Sequence, residues 1–237
     1  MTTKYKLVPA IGLAAALPFS ASAFVPSEIS VTSDITFASE YVFRGIEFAD
    51  HSFQPSVEVE IGDLYVGIWS NLPTDDADNE INYFAGYAVD IPDMPFSLDV
   101  GLTVYHYPNT SSNRHHEAYI GASADDLWVD GLGVSLYYFY DFDIESQVLE
   151  AALSYGYPIL DTGLTAEGVL TGGTVWGRTG VDAYNYYGVS VGLPYDINPH
   201  MTLTPAVHYA TAEKIDLAEA GGRNKNLFWT ISLTASF

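Results

Sequence analysis

Nine carboxylates stand at alternating positions within or beside otherwise apolar runs: Asp34, Glu40, Glu58, Glu60, Glu80, Asp99, Glu117, Glu150 and Glu167. Arg44 falls in the same pattern. In an extended chain, residues two apart project to one side. Each acid therefore shares a face with small, hydroxyl or glycine neighbours and opposes a face of Val, Leu, Ile and aromatic residues. Such carboxylates could act as general acids or bases, ligate a metal, or set up a negative field. The first use needs a nucleophile or histidine beside an acid. The histidines are His51, His106, His115, His116, His200 and His208. His115 and His116 adjoin Glu117, but neighbours in a strand face opposite ways, and no serine is placed beside any histidine. The second use is weak too. Asp76-x-Asp78-x-Glu80 starts as a calcium loop starts, yet lacks the central glycine and the distal bidentate glutamate. No metal, cofactor or catalytic residue is assigned. The third use remains: acidic groups lining a wet passage attract cations and repel anions.

Composition narrows the setting. Of 237 residues, 30 are acidic and 8 basic, giving a net charge of −22, which excludes nucleic acid as a partner because phosphate binding needs Lys and Arg. There is no cysteine, so disulfides and thiol chemistry are excluded. With 18 Tyr, 12 Phe and 4 Trp the chain is too aromatic for an acidic disordered protein. It begins with a basic MTTKYK, an apolar LVPAIGLAAALPF and a small-x-small Ala21-Ser22-Ala23, the pattern of a secretory signal peptide over residues 1–23. That apolar run is shorter than the roughly 20 residues a transmembrane helix needs. Residues 24–237 are then expected to form one domain.

The elements that hold the acids are strands. Twelve alternating segments are expected: Val31 to Arg44, SVEVEIGD, LYVGIWSNL, INYFAGYAV, FSLDVGLTVY, HEAYIGASA, GVSLYYFYD, QVLEAALSY, LTAEGVLTG, YYGVSVGL, MTLTPAVHYA and LFWTISLTASF. Ten or fourteen strands would also fit. Short turns at Gly62-Asp63, Pro92 to Pro95, Tyr157 to Gly163 and Pro194 to Pro199 alternate with longer loops at Gly45–Ser52, Pro73–Asn79, Pro108–Arg114, Gly172–Asp182 and Thr211–Asn226. The connection Asp141–Ser146 is short for its side, and Asp125–Gly131 is long for its own. Residues 212–220 could add a helical turn or two. This rhythm belongs to an up-and-down antiparallel barrel with both termini at the short-turn end.

A soluble two-sheet sandwich would alternate as well, with its apolar face inside. A soluble exterior normally mixes many Lys and Arg among its acids. Here the basic residues sit mainly in loops: Arg114, Arg178, Lys214, Arg223 and Lys225. A bilayer admits only helices or closed barrels, since every backbone polar group must be paired. The fold class expected is therefore all-β, a transmembrane barrel whose apolar residues face lipid and whose acids and hydroxyls face a lumen. Tyr41, Phe43, Tyr83, Tyr87, Phe96, Tyr155 and Trp229 are candidates for interfacial aromatic girdles. Arg44 is expected to pair with Glu40 or Glu58. In the last strand, Trp229, Ile231, Leu233, Ala235 and Phe237 alternate to the final residue, resembling the signal that outer-membrane proteins present to their assembly machinery.

The stretch SEYVFRGI, with Arg44-Gly45, resembles the opening of the TorF-type porin family of small proteobacterial outer-membrane proteins. LYVGIWSNL (64–72) resembles that family's Gly-x-Trp-x-Asn strand, and EINYFAGY (80–87) its Glu-x-x-Tyr-x-Gly-Tyr strand. Tyr107-Pro108 with Glu117-x-Tyr119-x-Gly121 resembles a third pair. The likeness spans residues 39–122 and the terminal Phe. Ile46, Glu47 and Phe48 depart from it after Arg-Gly. The resemblance implies an outer-membrane barrel in a Gram-negative bacterium and a channel, without naming a solute.

The expected function is passive diffusion of small hydrophilic solutes with a weak cation preference set by the acidic residues and Arg44. The expected partners are outer-membrane lipid and lipopolysaccharide, the assembly machinery through the C-terminal strand, and the solutes or cations themselves. Two alternatives stand beside it: a structural or adhesive barrel without transport, and an outer-membrane enzyme acting on lipid.

Overall fold

A computed structural model describes residues 29–110, 114–159, 162–177, 183–213 and 225–237, with the short segments 5–6 and 19–20. The signal-peptide cleavage region and the helical turns considered within 212–220 lie essentially outside these residues.

Twelve antiparallel strands form one closed sheet. They are β1 (Ile29–Ala38), β2 (Ser52–Ile61), β3 (Leu64–Pro73), β4 (Glu80–Asp90), β5 (Ser97–His106), β6 (Arg114–Asp125), β7 (Leu132–Asp141), β8 (Ser146–Ile159), β9 (Leu164–Gly177), β10 (Tyr184–Gly192, resuming as Tyr195–Asn198), β11 (Met201–Glu213) and β12 (Lys225–Ser236). Each strand pairs with its sequence neighbours, and β12 closes on β1 in the register Leu233↔Ile35 and Ser236↔Thr32. The break in β10 falls at Pro194, which has no N–H to donate to the ladder.

The two faces are inverted relative to a soluble protein. On β2, Ser52, Gln54, Ser56 and Glu58 are buried, while Phe53, Val57 and Ile61 are exposed. On β3, Tyr65, Trp69 and Asn71 are buried, while Leu64, Val66, Ile68 and Leu72 are exposed. On β12, Asn226, Phe228, Thr230, Ser232 and Thr234 point inward, while Leu227, Trp229 and Ile231 point out. An exterior this apolar is suited to hydrocarbon, where the closed ladder leaves no unpaired edge. Among the girdle residues, Tyr83, Tyr87, Phe96, Tyr155 and Trp229 lie on the exterior.

The lumen is packed with rings as well as acids. Across the register, an inward aromatic covers a glycine of the next strand: Tyr65 over Gly86, Phe84 over Gly67, Tyr119 over Gly101, Tyr137 over Gly121 and Tyr186 over Gly173. This accounts for the Gly-x-Trp and Tyr-x-Gly spacings. The glycine makes room for a ring lying flat along the wall, and the ring shields the bare backbone.

The segment Val31 to Arg44 is not one strand. β1 ends at Ala38, the chain bends at Ser39–Glu40, and an inner hairpin follows, Tyr41–Phe43 paired with Ile46–Ala49. Tyr41 is thereby buried inside the barrel instead of standing in a lipid-facing girdle, and Phe43 goes with it. Both residues of the hairpin's turn have positive φ, Arg44 at 49° and Gly45 at 81°. A two-residue turn of that kind matches the twist of the flanking strands.

Candidate functional site

The inner hairpin hangs from the ends of β1 and β2 into the half of the lumen away from the termini. Its backbone pairs only with itself in the sheet, as a separate two-stranded unit. Side chains dock it. Val42 is fully buried against Ala210 of β11 and Phe228 of β12. Asn226 of β12 donates its amide to the Gly45 carbonyl at 3.3 Å. A side chain at position 45 would put its Cβ 2.6 Å from the Thr211 carbonyl oxygen, so this approach needs glycine.

From the same tip Arg44 reaches the opposite wall. Its two terminal nitrogens donate to both carboxylate oxygens of Glu117 on β6, each at 2.9 Å. β6 and β12 lie six strands apart in a ring of twelve, so the tip and its arginine bridge the lumen. The guanidinium sits 4.6 Å from the Phe43 ring centroid and 5.0 Å from that of Phe139. A bidentate pair between two rings fixes the arginine's geometry as well as its charge. The arginine therefore pairs with Glu117, neither with Glu40 nor with Glu58. Glu40 lies in the bend before the hairpin.

Around this clamp is a ring of acids and tyrosines. The Tyr105 hydroxyl donates to Glu117 (2.8 Å), Tyr41 to Glu80 (3.1 Å), and Tyr186 to Glu150 (2.5 Å). Asn82 donates to the other Glu80 oxygen at 2.8 Å. Tyr41 also packs on Trp69, with ring centroids 5.6 Å apart. Towards the termini lies a second layer. Asp99 accepts from Tyr65 at 2.9 Å and from Tyr137 at 3.2 Å, and Tyr65 bonds Tyr119 through their hydroxyls. Asp34 accepts from Thr36 and Thr234, each at 2.7 Å.

Of the nine carboxylates, Asp34, Glu58, Glu80, Asp99, Glu117 and Glu150 are buried on the inward face; Glu60 and Glu167 face inward and are partly exposed. Among the described residues of the barrel, Arg44 is the one Arg or Lys inside. The wall of β8 to β11 near the termini carries small, partly exposed inward residues, including Ala152, Ser154, Gly156, Ser190 and Ala206. Trp229, Ile231 and Leu233 lie on the outer face of β12, and Phe237 pairs its backbone with Val31 in both directions at 3.0 Å. The two adjacent histidines diverge: His115 turns to Asp141 at 3.3 Å, and His116 to Asp143 at 2.9 Å. Hydrogen bonds from the His116 ring and backbone hold the Asp143 carboxyl, in an exposed turn, below its ordinary pKa. Asp76 and Asp78 remain in the exposed loop, while Glu80 turns inward, so the three do not converge.

The inner hairpin and the tyrosines were the features missed from sequence. YVFRGIEFA holds two short alternating runs around a two-residue turn with glycine second, which is a hairpin signature. The tyrosines carry the signal of a ring spaced two residues from a glycine, on the same strand face as the acids.

Solved structures with this architecture include outer-membrane porins. A KdgM porin in complex with disordered oligogalacturonate is 14% identical, with a TM-score of 0.59 over 88% of this chain and 99% of the other. A NanC porin is 13% identical, with a TM-score of 0.54 over 88% and 99%. The COG4313 outer membrane channel from Pseudomonas putida F1 is 11% identical, with a TM-score of 0.54 over 91% and 97%. At these identities the likeness is one of fold. No curated protein sequence matches the chain. The sequence profile of Gcw_chp, described as a bacterial protein of unknown function, matches residues 22–237, and the chain belongs to that family.

Proposed function

We propose that the protein is an outer-membrane porin-like channel that passes small hydrophilic solutes and favours cations. The observation that carries this reading is the inverted barrel: a closed apolar exterior around an inward wall of carboxylates, hydroxyls and tyrosines. Two buried amide oxygens on that wall, Gln54 Oε1 and Asn82 Oδ1, have no protein donor. Buried acceptors are rarely left so, and a hydrated passage would satisfy them. The resemblance of residues 39–122 to TorF-type porins supports the same reading.

The sign of the selectivity follows from charge. Among the described residues, one inward arginine, already engaged by Glu117, stands against the inward strand carboxylates Asp34, Glu58, Glu60, Glu80, Asp99, Glu117, Asp141, Glu150 and Glu167. A field of that sign concentrates cations and repels anions. KdgM was solved with oligogalacturonate, whose uronate groups make it a polyanion. Among the described residues of the barrel, the lumen holds no Arg or Lys besides Arg44 for such a ligand, and the shared fold does not carry that ligand over. The readings as a purely structural barrel or a lipid-acting enzyme find no comparable support. The histidine rings at 115 and 116 face aspartates in place of a serine.

Refolded protein in liposomes tests the reading by osmotic swelling. Swelling with small neutral and cationic solutes, and slower swelling with anions of equal size, is the expected result. Swelling indistinguishable from empty liposomes for all solutes would count against a channel, and fast anion entry would count against the cation preference.

A further inference from the structure

We propose that the inner hairpin, Tyr41–Ala49, is a hinged plug that must leave the lumen for the barrel to conduct freely, with the Arg44–Glu117 ion pair as its catch. The proposal rests on the channel reading and concerns its regulation.

Three observations carry it. First, the barrel wall is complete without the hairpin: all twelve strands pair in a closed ring, and the hairpin is a separate two-stranded sheet. Swinging it out breaks no ladder hydrogen bond of the wall. Second, it occupies the section it enters. Val42 is 0% exposed, buried against β11 and β12, Tyr41 is 3% exposed and packs on Trp69 of β3, and Arg44 reaches β6, so the hairpin touches the wall on three sides. A solute crossing this section must pass beside the seated hairpin or displace it. Third, the fastening is concentrated at the tip. The one described inward arginine is clamped by Glu117 across the lumen, beyond the Gly45 turn that rests on the facing wall. Both hairpin ends are anchored to adjacent strands, β1 and β2, as a hinge requires.

The consequence for the solute path is electrostatic. With the hairpin seated, Glu117 is neutralised and Glu80 is capped by Tyr41. With the hairpin out, Arg44 leaves with it, and Glu80, Glu117 and Glu150 face the passage unopposed. Opening therefore widens the lumen and strengthens its preference for cations together.

The chain contains no cysteine, so a lock can be introduced without background. Val42→Cys with Ala210→Cys, neighbours in one buried cluster, would tie the hairpin to the wall. A second variant replaces residues 41–49 with a short Gly-Ser link. Single-channel recordings in planar bilayers then decide. The oxidised double-cysteine protein should be nearly silent and recover conductance on reduction, and the deletion variant should conduct several-fold more than the intact protein. Equal conductance before and after reduction, with the disulfide confirmed by mass, would overturn the plug while leaving the channel intact. Should the deletion fail to fold, the reduction experiment decides alone. A folded deletion variant with no conductance would overturn the channel reading itself, a result distinct from failure of the plug.

Discussion

Replacing Gly121 with alanine tests the inverted packing at one atom. Gly121 of β6 lies opposite Tyr137 of β7, whose ring covers it. An added Cβ would stand 2.6 Å from Tyr137 Cγ. That atom is next to the backbone and cannot swing away as the far end of a side chain could. The ring must move as a body, and its hydroxyl then loses Asp99, now 3.2 Å away. Forcing an extra carbon into a packed interior costs about 1–3 kcal/mol, and losing a hydrogen bond to a charged group about 1.5–3 more, so roughly 3–5 kcal/mol in all. That is a shift of about a hundredfold or more in the folding equilibrium. Gly168 of β9 is the control. It faces outward, and nothing lies within 4 Å of an added Cβ. Alanine there should be neutral or stabilise by about 0.4–1 kcal/mol through the unfolded chain. Equilibrium unfolding in detergent micelles with urea, followed by tryptophan fluorescence, measures both. If Gly121→Ala unfolds within about 1 kcal/mol of the parent, or Gly168→Ala proves as harmful, the assignment of faces is wrong.

Removing one partner of the buried Arg44–Glu117 pair should destabilise the seated hairpin by about 3–5 kcal/mol, whereas Arg44→Met with Glu117→Gln should recover much of that loss, because no buried charge is left alone. A double-mutant cycle on hairpin protection from proteolysis reads the coupling, and additive single effects would contradict the clamp. Asp143 is held below its ordinary value of 3.8. Its contribution is therefore fully present above that value and is lost as pH falls through the lower folded value. Exchange of the His116 amide, which donates to Asp143 at 2.7 Å, should accelerate only in strong acid, and Asp143→Asn should remove the pH dependence. Changing Glu58 and Glu60 together to glutamine should weaken cation preference; unaltered ion selectivity would take both residues out of the selective region.

The strands were legible because one face of each is uniform. LFWTISLTASF and LYVGIWSNL alternate without a break, and a period of two survives whichever face is buried. Which face is inside came from charge, since the non-apolar faces carry acids and hydroxyls with almost no lysine. What sequence left hidden are contacts between distant strands. Arg44 and Glu117 are 73 residues apart, and only closure of the ring brings them together. The alternation from Val31 to Arg44 looked continuous because the bend at Ser39–Glu40 separates two strands, Ile29–Ala38 and Tyr41–Phe43, whose sequence periods are in phase. Ser39–Glu40 offered no glycine or proline to mark the bend. Of the girdle candidates, Tyr41 and Phe43 lie inside, and Tyr65, Tyr119 and Tyr137, outside that set, point inward over glycines. Those glycines lie on neighbouring strands, so the pairing becomes visible only with the register.

The most direct test of a cation-preferring passage through this barrel is the reversal potential of the refolded protein in a planar bilayer under a salt gradient. The account predicts a potential of the sign set by cation flow, growing larger when residues 41–49 are removed and Arg44 leaves the lumen. A reversal potential set by anions, in the intact protein and in the folded deletion variant alike, would contradict it.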